Sequence, residues 1–323
     1  MSLPTVSVVM GVYNGAADLS RTLDSVLTQQ GVDLEFIVVD DGSADQTPEI
    51  LDSRARQDTR LRVVHQPNCG LTDALVRGCE LARGEFIARQ DAGGDLSLPG
   101  RLLTQTAVLR AQTDAILATC ATRFVSPDGE LLFDEVTEQE QLDVGLRTLV
   151  RPGVRGPSSH PSCFFRREAY ERVGGYRRSF TLAQDLDLWL RMSEVGRFIA
   201  MHDVLYQASW NFGGISSRLR LEQNHYAEFA LEAAKLRRAG SPEPKLPEPR
   251  RSADIRGTIS RNVELSCFHY FIGSCVAKRN FSLARKHFWL SFKAHPLHLS
   301  AMLRLLVPWP WILHGDRNVS SRS

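Results

Sequence analysis

Residues Phe36–Ser43 read Phe-Ile-Val-Val-Asp-Asp-Gly-Ser, so that four apolar residues suited to a buried strand end abruptly in two carboxylates and a turn. In an open parallel sheet, ligands bind just beyond the carboxyl ends of the strands. Acidic side chains placed there cost free energy unless they are hydrogen-bonded or hold a ligand. Asp40 and Asp41 therefore either cap the following turn and helix or belong to a binding site.

The first 92 residues alternate between buried-strand and helix patterns. Apolar runs predict strands at 6–13, 34–39, 61–65 and 85–88. Between them, apolar residues at helical spacing predict helices after the turn at Asn14, at 47–57 and near 71–83. Strands and helices that take turns in this way imply right-handed crossovers and a parallel, doubly wound α/β sheet with flanking helices.

The rest of the chain has a less regular middle and a helical tail. In the middle, helices are predicted at 99–112 and 186–195 and a strand at 115–122. A hairpin turn is predicted at 126–129 and a Pro-rich loop at 152–161. From Leu219 onward the apolar periods are helical only, with a Pro-rich linker at about 241–249 and three helices in about 256–307. We therefore expect an α/β domain over residues 1–217 and an all-helical C-terminal extension over residues 218–323.

Charge is distributed unevenly between these two parts. Residues 1–217 contain 21 Arg, no Lys and 29 acidic residues, whereas residues 218–323 contain 18 basic and 8 acidic residues. An acidic body with a basic tail suits a catalytic domain held near an anionic surface, and a solvated Arg-rich tail is the alternative. Near the end, the aromatic run Leu306–Leu313 fits either a membrane interface or packing of Trp309 and Trp311 on other helices.

The cysteines and the first residues indicate a reduced compartment. None of the six cysteines forms a Cys-x-x-Cys pair, so their spacing supports neither a zinc site nor a disulfide framework. The start Met1–Thr5 lacks a basic and apolar leader, and no stretch reaches the roughly 20 uninterrupted apolar residues of a membrane span. We expect a cytoplasmic protein whose basic tail can contact the inner face of the plasma membrane.

Polar residues after the predicted strands indicate a nucleotide site. Tyr13 after the first strand and Asp41 after the second would lie side by side if these strands are neighbours. An aromatic face and a carboxylate can hold a base by stacking and by accepting a ring N–H, although a buried tyrosine and a capping acid fit the same pattern. After the fourth strand, Asp91 offers oxygen ligands to a divalent cation that bridges a diphosphate, although Asp and Gly are also common in turns.

A third group of residues opens the helix predicted at 186–195. Asp185 near the N-terminus of this helix is expected to stay ionised at neutral pH, so that it can accept a proton as a general base. Asp187, two residues later, must face elsewhere on the helix. Alternatively, an acid at a helix N-terminus needs no catalytic function, which would explain Asp185 or Asp187 but not both. This alternative gives no role to Trp189, which we expect to be exposed.

Taken in order, the motifs of residues 1–217 resemble those of the family 2 glycosyltransferases, which have the GT-A fold. The residues that carry the resemblance are Val8–Asn14, Val39–Ser43, Asn68–Leu71, Ala82–Ala88, Gln90–Ala92, His160–Arg167 and Asp185–Arg191. No single motif is decisive. The resemblance is specific because the motifs follow one another in the family's order.

This resemblance implies an inverting transfer of a sugar from a nucleoside diphosphate sugar, with a UDP-sugar as the expected donor. Gly11, Tyr13, Asp41 and Asp91 would bind the nucleotide, and Asp91 would also hold a Mn²⁺ or Mg²⁺ ion at the diphosphate. The acceptor would be a hydroxyl of a glycan or a lipid-linked molecule in cell-surface polysaccharide synthesis. A peripheral membrane contact would come from the basic tail, which matches no nucleic-acid-binding module.

The acceptor side of the site also follows from the resemblance. Asp185 would deprotonate the acceptor hydroxyl, and Trp189 would contact the acceptor. Displacement at the anomeric carbon has oxocarbenium character, so it needs a base on one face and stabilised leaving-group charge on the other.

The metal motif departs from the family pattern. Gly93 stands where the family has a second acid, and Gly94 resembles an insertion that displaces Asp95. The metal expectation therefore rests on Asp91, with Asp95 and His160 as alternative ligands. Because Gly93 replaces an acid of the metal motif, the chain could also be a GT-A domain that has lost catalysis and acts as a glycan-binding or scaffolding partner.

A dinucleotide-dependent oxidoreductase is the other alternative, because it would share the doubly wound sheet. No Gly-x-Gly-x-x-Gly sequence follows the first predicted strand, where such an enzyme would bind the pyrophosphate. The sequence therefore disfavours this class.

Overall fold

The structure is a computed structural model that describes residues 3–149, 156–210, 220–246, 260–277 and 279–306. The chain divides into two compact units. The first comprises Met1–Ser209 with Leu221–Arg256, and the second comprises Trp210–Arg220 with Gly257–Ser323.

The first unit contains one sheet and the helices around it. Its strands are β1 (Val6–Val12), β2 (Leu34–Asp40), β3 (Leu61–His65), β4 (Phe86–Arg89), β5 (Leu96–Ser97), β6 (Ala115–Val125), β7 (Leu131–Glu135), β8 (Cys163–Arg166) and β9 (Arg197–Ser209). Its helices are α1 (Ala16–Leu27), α2 (Thr47–Gln57), α3 (Leu71–Glu80), α4 (Arg101–Ala111), α5 (Gln139–Thr148), α6 (Arg167–Arg172), α7 (Gln184–Met192) and α8 (Arg220–Arg238).

The strands follow the order β3-β2-β1-β4-β8-β6-β9-β5, and β7 pairs with β6. Strands β1 to β4 are mutually parallel, which confirms the prediction for the first 92 residues. Beyond β4 the sheet is mixed, because β8 is antiparallel to both β4 and β6 whereas β6 and β9 are parallel. Strand β1 lies between β2 and β4, so the chain reverses its direction of winding there and a crevice opens at the carboxyl ends.

Alternate residues of β1 pack against helices on opposite faces of the sheet. Val8 and Met10 belong to a core with apolar residues of α1, α2 and α4. On the other face, a Cβ placed on Gly78 of α3 would lie 2.5 Å from Val9 Cγ1. Because that glycine has no side chain, α3 approaches the sheet closely, and the sheet is covered on both faces as a doubly wound fold requires.

Arg101 is the largest fully buried side chain, and it joins three parts of the first unit. Its guanidinium donates to the main-chain oxygens of Arg89 (2.9 Å) and Pro161 (2.6 Å), and to Ser97 Oγ (2.8 Å). It also lies 4.8 Å from the centroid of the Tyr206 ring. Since a buried cation is stable only when its donors are paired, this network fixes the end of β4 relative to the 3₁₀ turn at 160–162.

Helix α8 packs with the α/β unit, although it follows the boundary predicted between residues 217 and 218. Arg237 of α8 pairs with Glu194, directly after α7, at 2.6 Å. The Tyr226 ring contacts Phe180, with the centroids 6.2 Å apart. Helical periodicity predicts α8 correctly but does not show which core it joins. Residues 241–246 of the predicted linker form no helix or strand, and 247–249 lie outside the described residues.

The second unit contains the three predicted helices, α9 (Arg261–Val276), α10 (Phe281–Ala294) and α11 (Leu299–Leu306). Helices α9 and α10 approach closely, since Ser291 Oγ donates to Ser266 O at 2.7 Å. The segment with Trp309 and Trp311 lies outside the described residues. Among the helices that are described, none combines the length and apolar character needed to cross a bilayer.

Two smaller predictions are confirmed. The turn at 126–129 joins β6 to β7, and Ser126 N donates to Glu130 O at 2.8 Å. All six cysteines are free thiols, as their spacing predicts.

The Arg101 network yields a stability prediction. Replacing Arg101 by Met leaves several buried acceptors without donors, and we expect a loss of about 3 kcal/mol in the free energy of unfolding. Urea denaturation of the full chain measures this loss. Arg110→Met is the matched control, because its side chain is 54% exposed and its ion pair with Glu85 is worth less than about 1 kcal/mol. Equal losses in the two variants would contradict the proposed importance of the buried network.

Candidate active site

The two acids at the end of β2 have different surroundings. Asp40 accepts a hydrogen bond from Ser43 N (3.1 Å) and contacts His65 Nδ1 at 2.8 Å. This hydrogen bond raises the pKa of His65. Asp40 therefore stabilises the turn and the neighbouring strand end, as a structural residue does.

Asp41 organises the loop that follows β3. Its carboxylate accepts hydrogen bonds from Gln66 Nε2 (2.8 Å), Cys69 N (2.9 Å) and Gly70 N (2.8 Å). A carboxylate has about four acceptor positions, so roughly one direction remains for the N–H of a base. Gly42 adopts φ +76°, and a Cβ there would lie 2.7 Å from Asn68 N, so only glycine permits this approach.

Tyr13 lies beside Asp41 at the carboxyl edge of the sheet. The register pairs Val12 with Asp40, and Asp41 N donates to Val12 O at 2.8 Å. The Tyr13 side chain is 48% exposed, which leaves the ring accessible for stacking. Nucleotide binding by these two residues remains a prediction, but the structure brings them together as the sequence pattern requires.

Gly11 is buried beneath helix α3. A Cβ at this position would lie 3.1 Å from both Ala74 Cβ and Leu71 Cδ1. Residue 11 must therefore be small because helix α3 packs closely against it. Its expected nucleotide contact remains a prediction.

A buried arginine connects Asp91 with the opposite side of the crevice. Arg89 Nε donates to Asp91 Oδ1 at 2.7 Å, and Arg89 Nη1 lies 2.9 Å from His160 Nδ1. His160 Nδ1 in turn lies 3.9 Å from a carboxylate oxygen of Asp185. Arg89 was not among the predicted site residues, although an arginine that ends the apolar strand β4 is a detectable signal.

His160 has a defined protonation state in this arrangement. Burial, together with the positive charge of Arg89, places the pKa of His160 well below its usual value, so the ring is neutral. A guanidinium can only donate, so Nδ1 accepts from Arg89 and Nε2–H donates to Tyr176 Oη, 2.7 Å away. Both ring nitrogens are therefore engaged, and His160 is a poor candidate for the alternative metal ligand.

Asp185 lies in the first turn of α7, as predicted. Burial raises its pKa above that of an ordinary aspartate, and the Leu186 N–H (2.8 Å) and the charge of Arg89 partly oppose this effect. The helix N-terminus, on which the prediction of an ionised Asp185 rested, acts on the pKa in the opposite direction. A raised pKa makes the carboxylate a stronger base. About one third of the side chain is exposed, so an acceptor can reach it.

The expectation that Trp189 is exposed is wrong. The side chain is only 7% exposed, and a Cβ on Gly156 would lie 2.4 Å from its ring. The indole meets the His160 ring edge to face, with the centroids 5.6 Å apart. Trp189 therefore packs behind the site, and its contact with an acceptor remains a prediction without a surface to support it.

Asp187 faces away from Asp185, as the helical geometry predicts. It is buried and pairs with Arg191 at 2.6 Å. Its structural role contrasts with the partly exposed position of Asp185.

Asp95 is turned away from the crevice. Its two carboxylate oxygens accept from Tyr206 Oη (3.0 Å) and Ser209 N (2.9 Å). Burial, followed by the negative charge of Asp91, raises the pKa of Asp95 well above its usual value. The alternative ligand Asp95 is therefore engaged inside the fold. Tyr206 also accepts from Asp91 N at 3.1 Å, a role that no local sequence signal reveals.

Asp91 alone of the three proposed ligands has a carboxylate or ring nitrogen that is still accessible to a cation. In the described part of the chain, no three His, Cys, Asp or Glu side chains are grouped to hold a metal. Asp91 is 34% exposed and can supply one carboxylate ligand. Mg²⁺ is often held by one or two carboxylates together with substrate phosphates and water. The residues therefore fit a cation that binds with the diphosphate, and they do not form a complete site before the donor binds.

The fold and the polar residues at the carboxyl ends of the strands define an α/β domain with a candidate ligand site, and comparison with known proteins gives its family. Residues 7–174 match the model of glycosyl transferase family 2, and the chain belongs to this family. It is 34% identical to the putative glycosyltransferase EpsE of Bacillus subtilis over 216 residues, which are 63% of this chain and 72% of EpsE. It is 29% identical to the chondroitin synthase of Pasteurella multocida over 204 residues, but these are only 20% of that synthase.

Solved structures confirm the GT-A fold. Staphylococcus aureus TarS 1-349 in complex with UDP-GlcNAc superposes with a TM-score of 0.56 and 16% identity, covering 93% of this chain and 85% of that one. The mannosyltransferase PcManGT of Pyrobaculum calidifontis, in complex with GDP-Man and Mn²⁺, gives a TM-score of 0.56 and 22% identity, with coverage of 97% and 84%. At these identities the likeness establishes the fold alone.

The arrangement around Asp91 predicts that cation binding depends on the nucleotide. Isothermal titration with Mn²⁺ alone should show no site, because one carboxylate already paired with Arg89 is insufficient. Mn²⁺ should strengthen the binding of UDP, and Asp91→Asn should abolish this gain while Asp128→Asn, in the exposed turn, leaves it unchanged. Tight Mn²⁺ binding without nucleotide would contradict the inferred site.

Proposed function

We propose that this chain transfers a sugar, with inversion, from a UDP-sugar to a hydroxyl of a glycan or lipid-linked acceptor in cell-surface polysaccharide synthesis. The observation that carries the proposal is the chain of contacts that runs from Asp91 through Arg89 and His160 to Asp185. This arrangement offers a base on one side and a nucleotide-diphosphate position on the other.

The donor end of the proposed site lies at the carboxyl ends of β1, β2 and β4. Tyr13 would stack on the base, and the remaining acceptor direction of Asp41 would receive its ring N–H. Asp91 would lie at the diphosphate, where a bound Mn²⁺ or Mg²⁺ ion would offset the developing negative charge of the leaving group. UDP-GlcNAc in the TarS complex favours a UDP-sugar, and GDP-Man in the PcManGT complex makes a GDP-sugar the alternative.

At the acceptor end, Asp185 would accept the proton of the attacking hydroxyl. Its raised pKa suits this transfer, because a stronger base removes the proton more readily. Neutral His160 takes no proton in this scheme. It holds the Arg89 guanidinium, whose positive charge favours the ionised form of Asp185. The oxygen of the acceptor then bonds to the anomeric carbon as the bond to the diphosphate breaks, which inverts the configuration.

A lipid-linked acceptor would place the reaction at the cytoplasmic face of a membrane, whereas a glycan acceptor does not require a membrane. The similarity to chondroitin synthase supports a glycan acceptor. The inactive GT-A domain is the competing function, and Gly93 is the residue that favours it. Binding of UDP without any turnover of UDP-sugars would identify that alternative.

Asp185→Asn separates binding from catalysis. The variant should bind UDP with unchanged affinity and lose about 10²–10⁴-fold in turnover, the range for a positioned general base. UDP release and calorimetry measure the two properties, and Asp128→Asn is the control. Transfer at the original rate would exclude Asp185 as the base.

The same substitution should not lower stability. A folded-state pKa above the unfolded value means that ionised Asp185 costs stability at pH values above its folded pKa, and that this cost disappears below the unfolded pKa. Asp185→Asn should therefore unfold at the same or a higher temperature than the original protein at neutral pH. A lower unfolding temperature would show that the charge itself stabilises the fold.

Arg89 provides a prediction for the pH dependence of transfer. Activity should fall as pH decreases through the pKa of Asp185, because the protonated acid cannot act as a base. The positive charge of Arg89 lowers that pKa, so Arg89→Gln should move the acidic limb of the kcat/KM profile to higher pH. Arg110→Gln, at an exposed position, should leave the limb in place. A limb that does not move in Arg89→Gln would argue against this electrostatic contact.

A further inference from the structure

A long acid-free segment distinguishes the second unit from the rest of the chain. Residues 265–315 contain no Asp or Glu and six Lys or Arg residues. This segment includes most of α9 and all of α10 and α11. A surface with one sign of charge favours a partner of the opposite charge.

The exposed side of α10 alternates between aromatic and basic side chains. Phe281, Arg285, Trp289 and Lys293 follow one another at intervals of four residues, so neighbours lie one turn apart. All four are exposed, including 47% of Phe281 and 55% of Trp289. We call these four residues the basic-aromatic row. The opposite side of the helix is buried, since Leu283, Ala284 and Phe288 are at most 5% exposed.

Exposed leucines follow the basic-aromatic row. Leu297, in the turn after α10, is 77% exposed, and Leu299, Leu303 and Leu306 of α11 are 63%, 55% and 70% exposed. The three leucines of α11 are spaced at i, i+4 and i+7, which places them along one side of that helix. Large apolar side chains at such exposure mark an interaction site when they are clustered.

The basic charge and the exposed apolar side chains together distinguish three kinds of partner. A second copy docking through the same surface would bring basic residues against basic residues, since the segment contains no acid to pair with them. A nucleic acid would match the charge but leave the exposed leucines in water. An anionic bilayer matches both features, because lipid headgroups attract Lys and Arg while Trp, Phe and Leu enter the interface.

We propose that the second unit docks on anionic lipid bilayers through the basic-aromatic row of α10 and the leucines that follow it. Arg285 and Lys293 contact the headgroups, and Trp289 enters the interface between headgroups and acyl chains. This surface lies wholly in the helical unit. The proposal is therefore independent of the transfer chemistry and would stand if the proposed donor or acceptor were wrong.

Sedimentation of the full chain with vesicles tests this proposal. The protein should bind vesicles of phosphatidylglycerol and phosphatidylcholine, bind pure phosphatidylcholine much more weakly, and lose affinity as salt is raised. The double variant Arg285→Gln and Lys293→Gln should bind the mixed vesicles roughly 30-fold more weakly. Trp289→Ala should bind roughly tenfold more weakly, and this loss should persist at high salt.

Matched variants and alternative partners complete the test. Arg56→Gln removes an exposed charge from α2 of the first unit and should leave vesicle binding unchanged. Circular dichroism and thermal unfolding should show that every variant remains folded. Equal binding to neutral and anionic vesicles, or no loss in the α10 variants, would overturn the proposal. It would also be overturned if these substitutions dissolved an oligomer or abolished binding of single-stranded RNA without changing vesicle binding.

Discussion

The buried Arg101 guanidinium is the interaction on which both the fold and the site depend. It donates to the main-chain oxygens of Arg89 and Pro161. Arg89 contacts both Asp91 and His160, and Pro161 directly follows His160. Without that donor, β4 and the 3₁₀ turn at 160–162 would lose their common anchor. A cation buried for structural reasons thus fixes a second arginine, Arg89, at the position where its charge acts on both Asp91 and Asp185.

Local sequence patterns predicted the parts of the fold that depend on neighbouring residues. Strands β1 to β4 are buried runs bounded by turn residues, so their parallel order followed from the alternation with helices. The positions of Tyr13 and Asp41 followed from strand ends that meet at one edge. The place of Asp185 in the first turn of α7 followed from the residues around it, which mark the start of a helix.

The features that the sequence did not reveal are contacts between distant segments. Asp95 is turned inward by Tyr206, 111 residues later, and no spacing rule connects them. Trp189 is covered by Gly156, and an amphipathic pattern does not reveal which loop lies above a helix. Burial raises the pKa of Asp185, and a position in the first turn of a helix does not reveal that burial. Nucleotide, metal and acceptor contacts remain predictions because each depends on a ligand as well as on the chain.

The packing of α8 shows that similarity and folding divide this chain at different places. The family match ends at residue 174, yet α7, β9 and α8 belong to the same compact unit. Arg237 and Arg238 of α8 both pair with Glu194, the second residue after the helix that carries Asp185. Truncation at residue 174 would therefore remove the proposed base together with the segments that support it. The compact unit of this chain is larger than the part that the family model covers.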